Sequence, residues 1–311
     1  MAASVGWIVQ PAAFVDTPGL DPSGWEAAER ILTADDQHVP MALAAGFDTI
    51  WVEDHMGWGA KSHLECITTL AWLVGRHPGS RWGTMVCGQA FRNPAYLAKV
   101  AVNLQLLTGG RFVLGIGAGN NGAEHAEFGF PFPTAARRLD QMEEAVRIIR
   151  TLWLGGRHSV DGREHTIRDA IVAPRPEPAI PLMIGGGGER RTLRLVADLA
   201  DWWCADVGSA ETLLRKSAIL DRHCAAVGRD PATIVRTQVA WVSLEDDPAA
   251  RSRWPEVHIV AGSPSEVIAE LLRFRRAGAD HLQIRFMDFP ATQGLERFAA
   301  DVLPRLHAGW D

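Results

Sequence analysis

The stretch Leu106-Leu-Thr-Gly-Gly-Arg-Phe-Val-Leu-Gly-Ile-Gly-Ala-Gly-Asn-Asn-Gly-Ala-Glu-His125 decides the fold of this chain. Gly109 and Gly110 stop a helical period that runs back through Leu107, Leu104, Ala101, Val100 and Leu97. The run Arg111 to Ile116 that follows is too short for a helix and apolar after its first residue, the pattern of a strand buried on both faces of a parallel sheet. A glycine-rich loop stands at the strand's carboxyl end. Beyond a turn rich in Phe and Pro, a second helix is marked by Leu139, Met142, Val146, Ile149 and Trp153. Loops at the carboxyl ends of parallel strands are where such folds keep their ligands.

The same unit repeats on both sides. Upstream, Val5 to Gln10, Thr49 to Glu53 and Arg81 to Cys87 read as strands, separated by helical periods over Trp25–Ala45, which Pro40 should break, and Leu64–Val74. Downstream, Leu182–Ile184, Asp201–Val207, Ile234–Val242 and His281–Met287 alternate with helices carrying Leu193, Val196 and Leu199, then Ala210–Val227, then a run opened by Ser263-Pro-Ser-Glu266, and finally Leu295–Leu306. Between about 155 and 181 the alternation lapses into a hairpin expected to turn at Asp161-Gly162 and a proline cluster at 174, 176, 178 and 181. Because the strand-helix pattern resumes at once, this is an insertion after strand four and its helix, and not a linker. Eight strands each followed by a helix predict an α/β protein of the (β/α)8 TIM-barrel class, one domain spanning 1–311.

Composition narrows the function classes. At 311 residues, 47% hydrophobic and 22% charged, the chain is an ordinary globular protein. A formal charge of -6 argues against nucleic acid as a partner. No apolar run reaches membrane-spanning length and no leader opens the chain, and Cys66, Cys87, Cys204 and Cys224 fall in no metal-like or disulfide-like spacing, so a reducing cytoplasm is expected. A metal-dependent barrel hydrolase would want His-x-His after strand one, and Val5 to Pro11 holds no histidine. No metal is expected.

Gly117-Ala-Gly119-Asn-Asn-Gly122 satisfies G-x-G-x-x-G, but Pro131 and Pro133 interrupt any helix the glycines would open, so a dinucleotide fingerprint is not supported. Gly110 to Gly119 with Glu124, Phe128-Gly129 and Arg138, the upstream Phe91-Arg-Asn-Pro-Ala95 with Leu97-Ala-Lys99, and Pro181-Leu-Met-Ile-Gly-Gly-Gly-Gly-Glu-Arg-Arg-Thr-Leu193 instead resemble the bacterial luciferase-like monooxygenase superfamily. More narrowly, they resemble its branch of oxidoreductases that use the deazaflavin coenzyme F420. The resemblance implies a barrel, often a homodimer, binding a flavin-type cofactor at its strand carboxyl ends.

The residues agree with that placement. Gly117, Ala118, Gly119 and Asn120 form a rim where backbone approaches a planar ring. Gly185, Gly186, Gly187 and Gly188, read as leading straight into a helix, offer backbone N–H groups and a helix dipole to a phosphate, with Arg190 and Arg191 adding charge. His55, at the carboxyl end of strand two, is the candidate for proton exchange near neutral pH. The resemblance supports it, since an Asp-His pair followed by Trp recurs in the branch and matches Asp54, His55 and Trp58; Asp54 is placed at the ring edge or substrate, but neighbours on a strand point apart, which makes it a poor orienter of His55. Met85-Val86-Cys87-Gly88 matches the place of a bulge behind the ring, and the resemblance implies a cis peptide at Met85-Val86. One departure stands out: sugar-phosphate dehydrogenases of the branch carry a glutamate where Asn120 stands here, which does not support sugar-phosphate oxidation.

The expected function is hydride transfer between coenzyme F420 and a small organic substrate. FMN in the same site would instead imply a monooxygenase, and a passive flavin-binding protein would keep the glycines without turnover. Substrate contacts are expected from the loops after Pro11, Trp58, Arg157 and Trp241.

Overall fold

The computed structural model describes residues 4–10, 19–244 and 257–310. Its main sheet orders the strands β1 (Val5–Val9), β2 (Thr49–Val52), β3 (Arg81–Thr84), β5 (Phe112–Gly117), β8 (Leu182–Gly185), β9 (Trp202–Ala205), β10 (Val235–Ser243) and β12 (His281–Phe286), all parallel. β10 pairs with β9 through its first half and with β12 along its length, and β12 pairs with β1, so the sheet closes on itself. This is the expected (β/α)8 barrel. Helices α1 (Trp25–Ala45), α2 (Cys66–Arg76), α3 (Pro94–Leu107), α5 (Ala135–Trp153), α6 (Thr192–Leu199), α7 (Ala210–Ala226) and α8 (Pro264–Arg276) follow successive strands.

Alternation along the strands builds two cores. Val5, Trp7 and Val9 of β1 face the helices and join the large outer core, while Ile8 faces inward with Trp51, Val113, Met183, Trp202, Cys204 and Val239. Gly6 and Gly83 flank Trp51, and a Cβ on either would stand 2.3 Å from its indole, so the bulky ring on β2 requires small residues on both neighbouring strands.

Several local expectations change. Pro40 does not break α1: the helix runs through it with Ile31, Ala34, His38, Val39 and Ala42 buried, and packing outweighs the lost backbone bond. The third strand is two pieces, β3 and the short β4 (Cys87–Gly88), separated by Met85 and Val86, whose peptide bond is cis as expected. A short helix α4 (Gly122–Glu127) does open at the last glycine of the G-x-G-x-x-G run, but it ends before the prolines. The insertion is a hairpin of β6 (His158–Asp161) and β7 (Thr166–Ala170) with a longer turn than Asp161-Gly162, because Glu144 on α5 gathers the N–H groups of Arg163, Glu164 and His165. An unforeseen strand, β11 (Ile259–Ala261), extends the end of β10. The last helix is α9 (Gln293–Arg297) and α10 (Leu303–Ala308), joined by a π turn over Phe298–Val302. The capping box of Ser263 and Glu266 forms as its sequence implies.

Candidate active site

A cleft of about 410 Å³ opens at the carboxyl ends of β2, β5, β8, β9 and β10, within the usual range for small-molecule sites. Its back wall is Met85 and Val86, against which the strand glycines are folded. A Cβ at Gly117 would come within 2.6 Å of the Val86 side chain, and one at Gly185 within 2.9 Å, so both positions must stay bare for the wall to be flat. Gly119 turns the loop at φ +80, and Ala118 and Asn120 complete the rim. Phe91, Leu139 and His125 close the outer side, with His125 packed among Phe91, Phe130 and Phe132.

His55 lies at the cleft edge, one-fifth exposed. Its Nδ1 is 3.1 Å from Oε2 of Glu124. A carboxylate only accepts, so Nδ1–H donates and Nε2 is left for an occupant of the cleft. Glu124 is almost completely buried, and its other oxygen accepts the N–H groups of Met56 and Gly57. One side chain thus fixes both the ring of His55 and the loop that carries it. Glu124 escaped the sequence reading as a site residue. Its signal was there: Asn121 followed three residues on by Glu124 is an N-cap pattern, and Asn121 does cap α4.

Asp54 lines the cleft, but its oxygens are spent on a bidentate pair with Arg92 (2.5 and 2.9 Å) and on the N–H of Gly88 (2.8 Å). It ties β2 to β4 and, as strand alternation implies, does not touch His55. Trp58 is more than half exposed and stands edge-on to the outer face of His55, with ring centroids 4.9 Å apart, outside the cleft lining. Cys87, in the bulge placed behind the ring, is a buried thiol: Val86 and Gly88 face the mouth, so Cys87 faces the outer core beside Cys66, whose thiol its neighbour and burial push up.

The second glycine run divides. Gly185 and Gly186 line the cleft; Gly187 lines an adjoining cavity of about 470 Å³; Gly188 accepts the N–H of Leu193 in the turn into α6. The helix itself begins at Thr192, four residues past the last glycine, without a side-chain cap, and Thr192 reaches the cleft. Arg190 lies instead in an outer groove beside Arg147 and Arg194, and Arg191 pairs with Asp140. The hairpin beyond Arg157 contributes nothing to the cleft lining, because it is folded onto α5. The loop beginning at Pro11 and most of the loop after Trp241 lie outside the described residues.

The remaining wall was not anticipated: Glu53, Cys204, Asp206 and Val239, from the ends of β2, β9 and β10. Glu53 forms an ion pair with Arg285 of β12, whose guanidinium lies 4.3 Å over the Trp241 ring. Burial, with Asp206 close by, pushes the Cys204 thiol up to about 12, which leaves a neutral thiol and no nucleophile. Among the described residues no group of three metal-ligating side chains converges and no helix is long and apolar enough to cross a membrane.

A closed parallel barrel with a glycine-floored cleft and a carboxylate-held histidine at its mouth defines a barrel built to bind a planar cofactor at its strand carboxyl ends. The family model for luciferase-like monooxygenases matches residues 36–256, and the chain belongs to that family. It is 29% identical to the F420-dependent glucose-6-phosphate dehydrogenase of Beutenbergia cavernae, covering 93% of this chain and 97% of the relative. An F420-dependent secondary alcohol dehydrogenase solved with an F420-acetone adduct superposes with a TM-score of 0.83 at 19% identity over 100% of both chains. The EDTA monooxygenase of a Chelativorans species does so with a TM-score of 0.80 at 17% identity, over 99% of this chain and 94% of that one. These two likenesses establish the shared fold.

Proposed function

We propose that the chain is an F420-dependent oxidoreductase that transfers a hydride between the deazaflavin and a small organic substrate. The observation that carries this reading is His55 in the lining of a cleft floored by Gly117 and Gly185, its Nδ1–H held by Glu124 and, among the described residues, its Nε2 without a hydrogen-bond partner. The named activity of the Beutenbergia relative along nearly the whole chain supports the choice of F420 over FMN. When bound, the deazaflavin supplies two-electron hydride chemistry, a carbon standing where a flavin has its reactive nitrogen.

The flat wall of Val86, Gly117 and Gly185 fits a planar ring, and no side chain on the two glycines would clear it. Gly119 and Asn120 form the rim beside that ring. The amino end of α6, which has no side-chain cap and whose Thr192 lines the cleft with Gly186, is where the helix dipole would meet a phosphate. His55 Nε2 takes the hydroxyl proton as an alcohol is oxidised, or returns it to a carbonyl in the reverse direction, and Glu124 stabilises the ring when it carries the added charge. Phe91, His125 and Leu139 narrow the mouth and exclude water.

Titrating the purified protein with coenzyme F420 and with FMN tests the choice. F420 is expected to bind and to be reduced or oxidised with substrate; tight FMN binding without deazaflavin affinity overturns the reading in favour of a monooxygenase. Bound F420 that no alcohol or carbonyl compound turns over points to the passive role instead. The homodimer and the cytoplasmic setting belong to the same reading, and light scattering of the holoprotein measures the first.

A further inference from the structure

The cleft and the second cavity share one lining residue, Asp206. The cations around this junction are already engaged. Arg285 pairs with Glu53. Lys216, in the lining of the second cavity, donates to the Gly187 carbonyl (2.5 Å) and lies 3.4 Å from Glu189, which it shares with Arg215. His258 pairs with Glu270 at 2.6 Å, and His55 with Glu124. Asp206 is different: its carboxyl is open to the lumen, and among the described residues no cation lies within ion-pair distance of it. Desolvation raises its pKa, the nearby Arg285 opposes this, and Glu53 adds to it.

Resting on the hydride-transfer reading above, we propose that the second cavity takes the non-reacting end of the substrate and that Asp206 sets its charge: the substrate ends there in a hydrogen-bond donor, a hydroxyl or an ammonium group, and not in a carboxylate or phosphate. Among the described residues, an anionic end placed at this junction meets the carboxylates of Asp206 and Glu53, whereas a donor end gives Asp206 a partner. Asn120 at the rim points the same way, as a neutral amide.

Three small secondary alcohols that differ in one substituent test this: 2-propanol, protonated 1-amino-2-propanol and lactate. With the deazaflavin-loaded protein, calorimetry is expected to rank the amino alcohol first and lactate last, about tenfold or more apart, and kcat/KM to follow the same order through KM. Asp206→Asn should bring the two charged alcohols to within about twofold of each other. Lactate binding as tightly as the amino alcohol, glucose 6-phosphate reducing the cofactor faster than the amino alcohol does, equal or absent binding of all three, or an order that Asp206→Asn does not alter each overturns the proposal. A protein that does not bind F420 at all fails at an earlier step, and that failure belongs to the functional reading.

Discussion

His281 at the floor of the barrel and His55 at its mouth are both ordered by hydrogen bonds, but they dispose of their ring nitrogens differently. At the floor, Nε2 of His281 accepts the Trp51 indole N–H (3.0 Å), Nδ1–H donates to Ser4 Oγ (2.7 Å), and Ser4 passes the chain to Asp48 (2.7 Å). One neutral tautomer satisfies every bond, the ring is fully buried, and burial drops its pKa to about 4. At the mouth, Glu124 fixes Nδ1 of His55, which lines the cleft, and among the described residues Nε2 has no hydrogen-bond partner. The same side chain is a structural plug when the protein uses both nitrogens and a candidate acid-base group when it uses one.

The contrast breaks first at His55. His55→Ala is expected to reduce kcat by about 10²–10⁴-fold while deazaflavin affinity, read by fluorescence titration, and Tm hold close to the native values. A variant that keeps native turnover would put the proton chemistry elsewhere. The residue beside it should behave in the opposite way. Asp54 is fully buried and shares Arg92 with the half-exposed Glu65, so Asp54→Ala leaves a buried guanidinium with one partner. A loss of about 3 kcal/mol in unfolding free energy is expected in urea melts, ahead of any specific effect on chemistry.

That pair shows how far sequence reached. Strand alternation alone said that Asp54 and His55 point apart, and the barrel followed from apolar runs of strand length and their spacing. The glycines of the cleft were legible because a bare backbone position is itself the signal. Glu124, Asp206 and Arg92 were not legible as partners: their roles depend on side chains from different βα units meeting in space, and periodicity reports only which way each residue faces its own element. Arg190 failed for a related reason. The turn from Gly188 to Thr192 swings it outward before the helix begins, a path set by loop geometry and not by residue type.

The floor offers a sharper test in pH. Burial favours neutral His281, so its folded pKa of about 4 lies below the ordinary 6.5 of an unfolded histidine. Above 6.5 both states are neutral and nothing is lost. As pH falls from 6.5 toward 4 the unfolded chain takes up a proton that the native floor refuses, and stability declines, reaching its full loss below 4. The gap corresponds to about 3 kcal/mol. Other groups titrate in the same range, so the informative quantity is the difference between native protein and His281→Gln, which keeps an acceptor for Trp51. Urea melts from pH 7 to pH 4 should fall more steeply for the native chain; parallel curves would mean that folding does not lower the pKa of the floor histidine.

The smallest change asks whether Glu124 matters as a charge or only as a brace. Glu124→Gln keeps one carbonyl oxygen, and that oxygen can still accept from Met56 and Gly57, so the loop carrying His55 has no reason to move. The other oxygen becomes an NH2 group facing Nδ1. Two donors cannot meet there, so the imidazole is expected to shift its proton to Nε2. In the alcohol-oxidising direction the base is then already protonated and must first change tautomer, without a carboxylate to favour the charge it gains. A fall of about 10–100-fold in kcat is expected, with KM and Tm nearly native. Nitrogen NMR of the imidazole provides the readout that a mere brace would not move: Nδ1–H in the native protein, Nε2–H in the variant. If the tautomer stays the same and kcat falls, the brace accounts for the loss; if the tautomer changes and kcat does not, proton transfer by His55 is not part of the step that limits turnover.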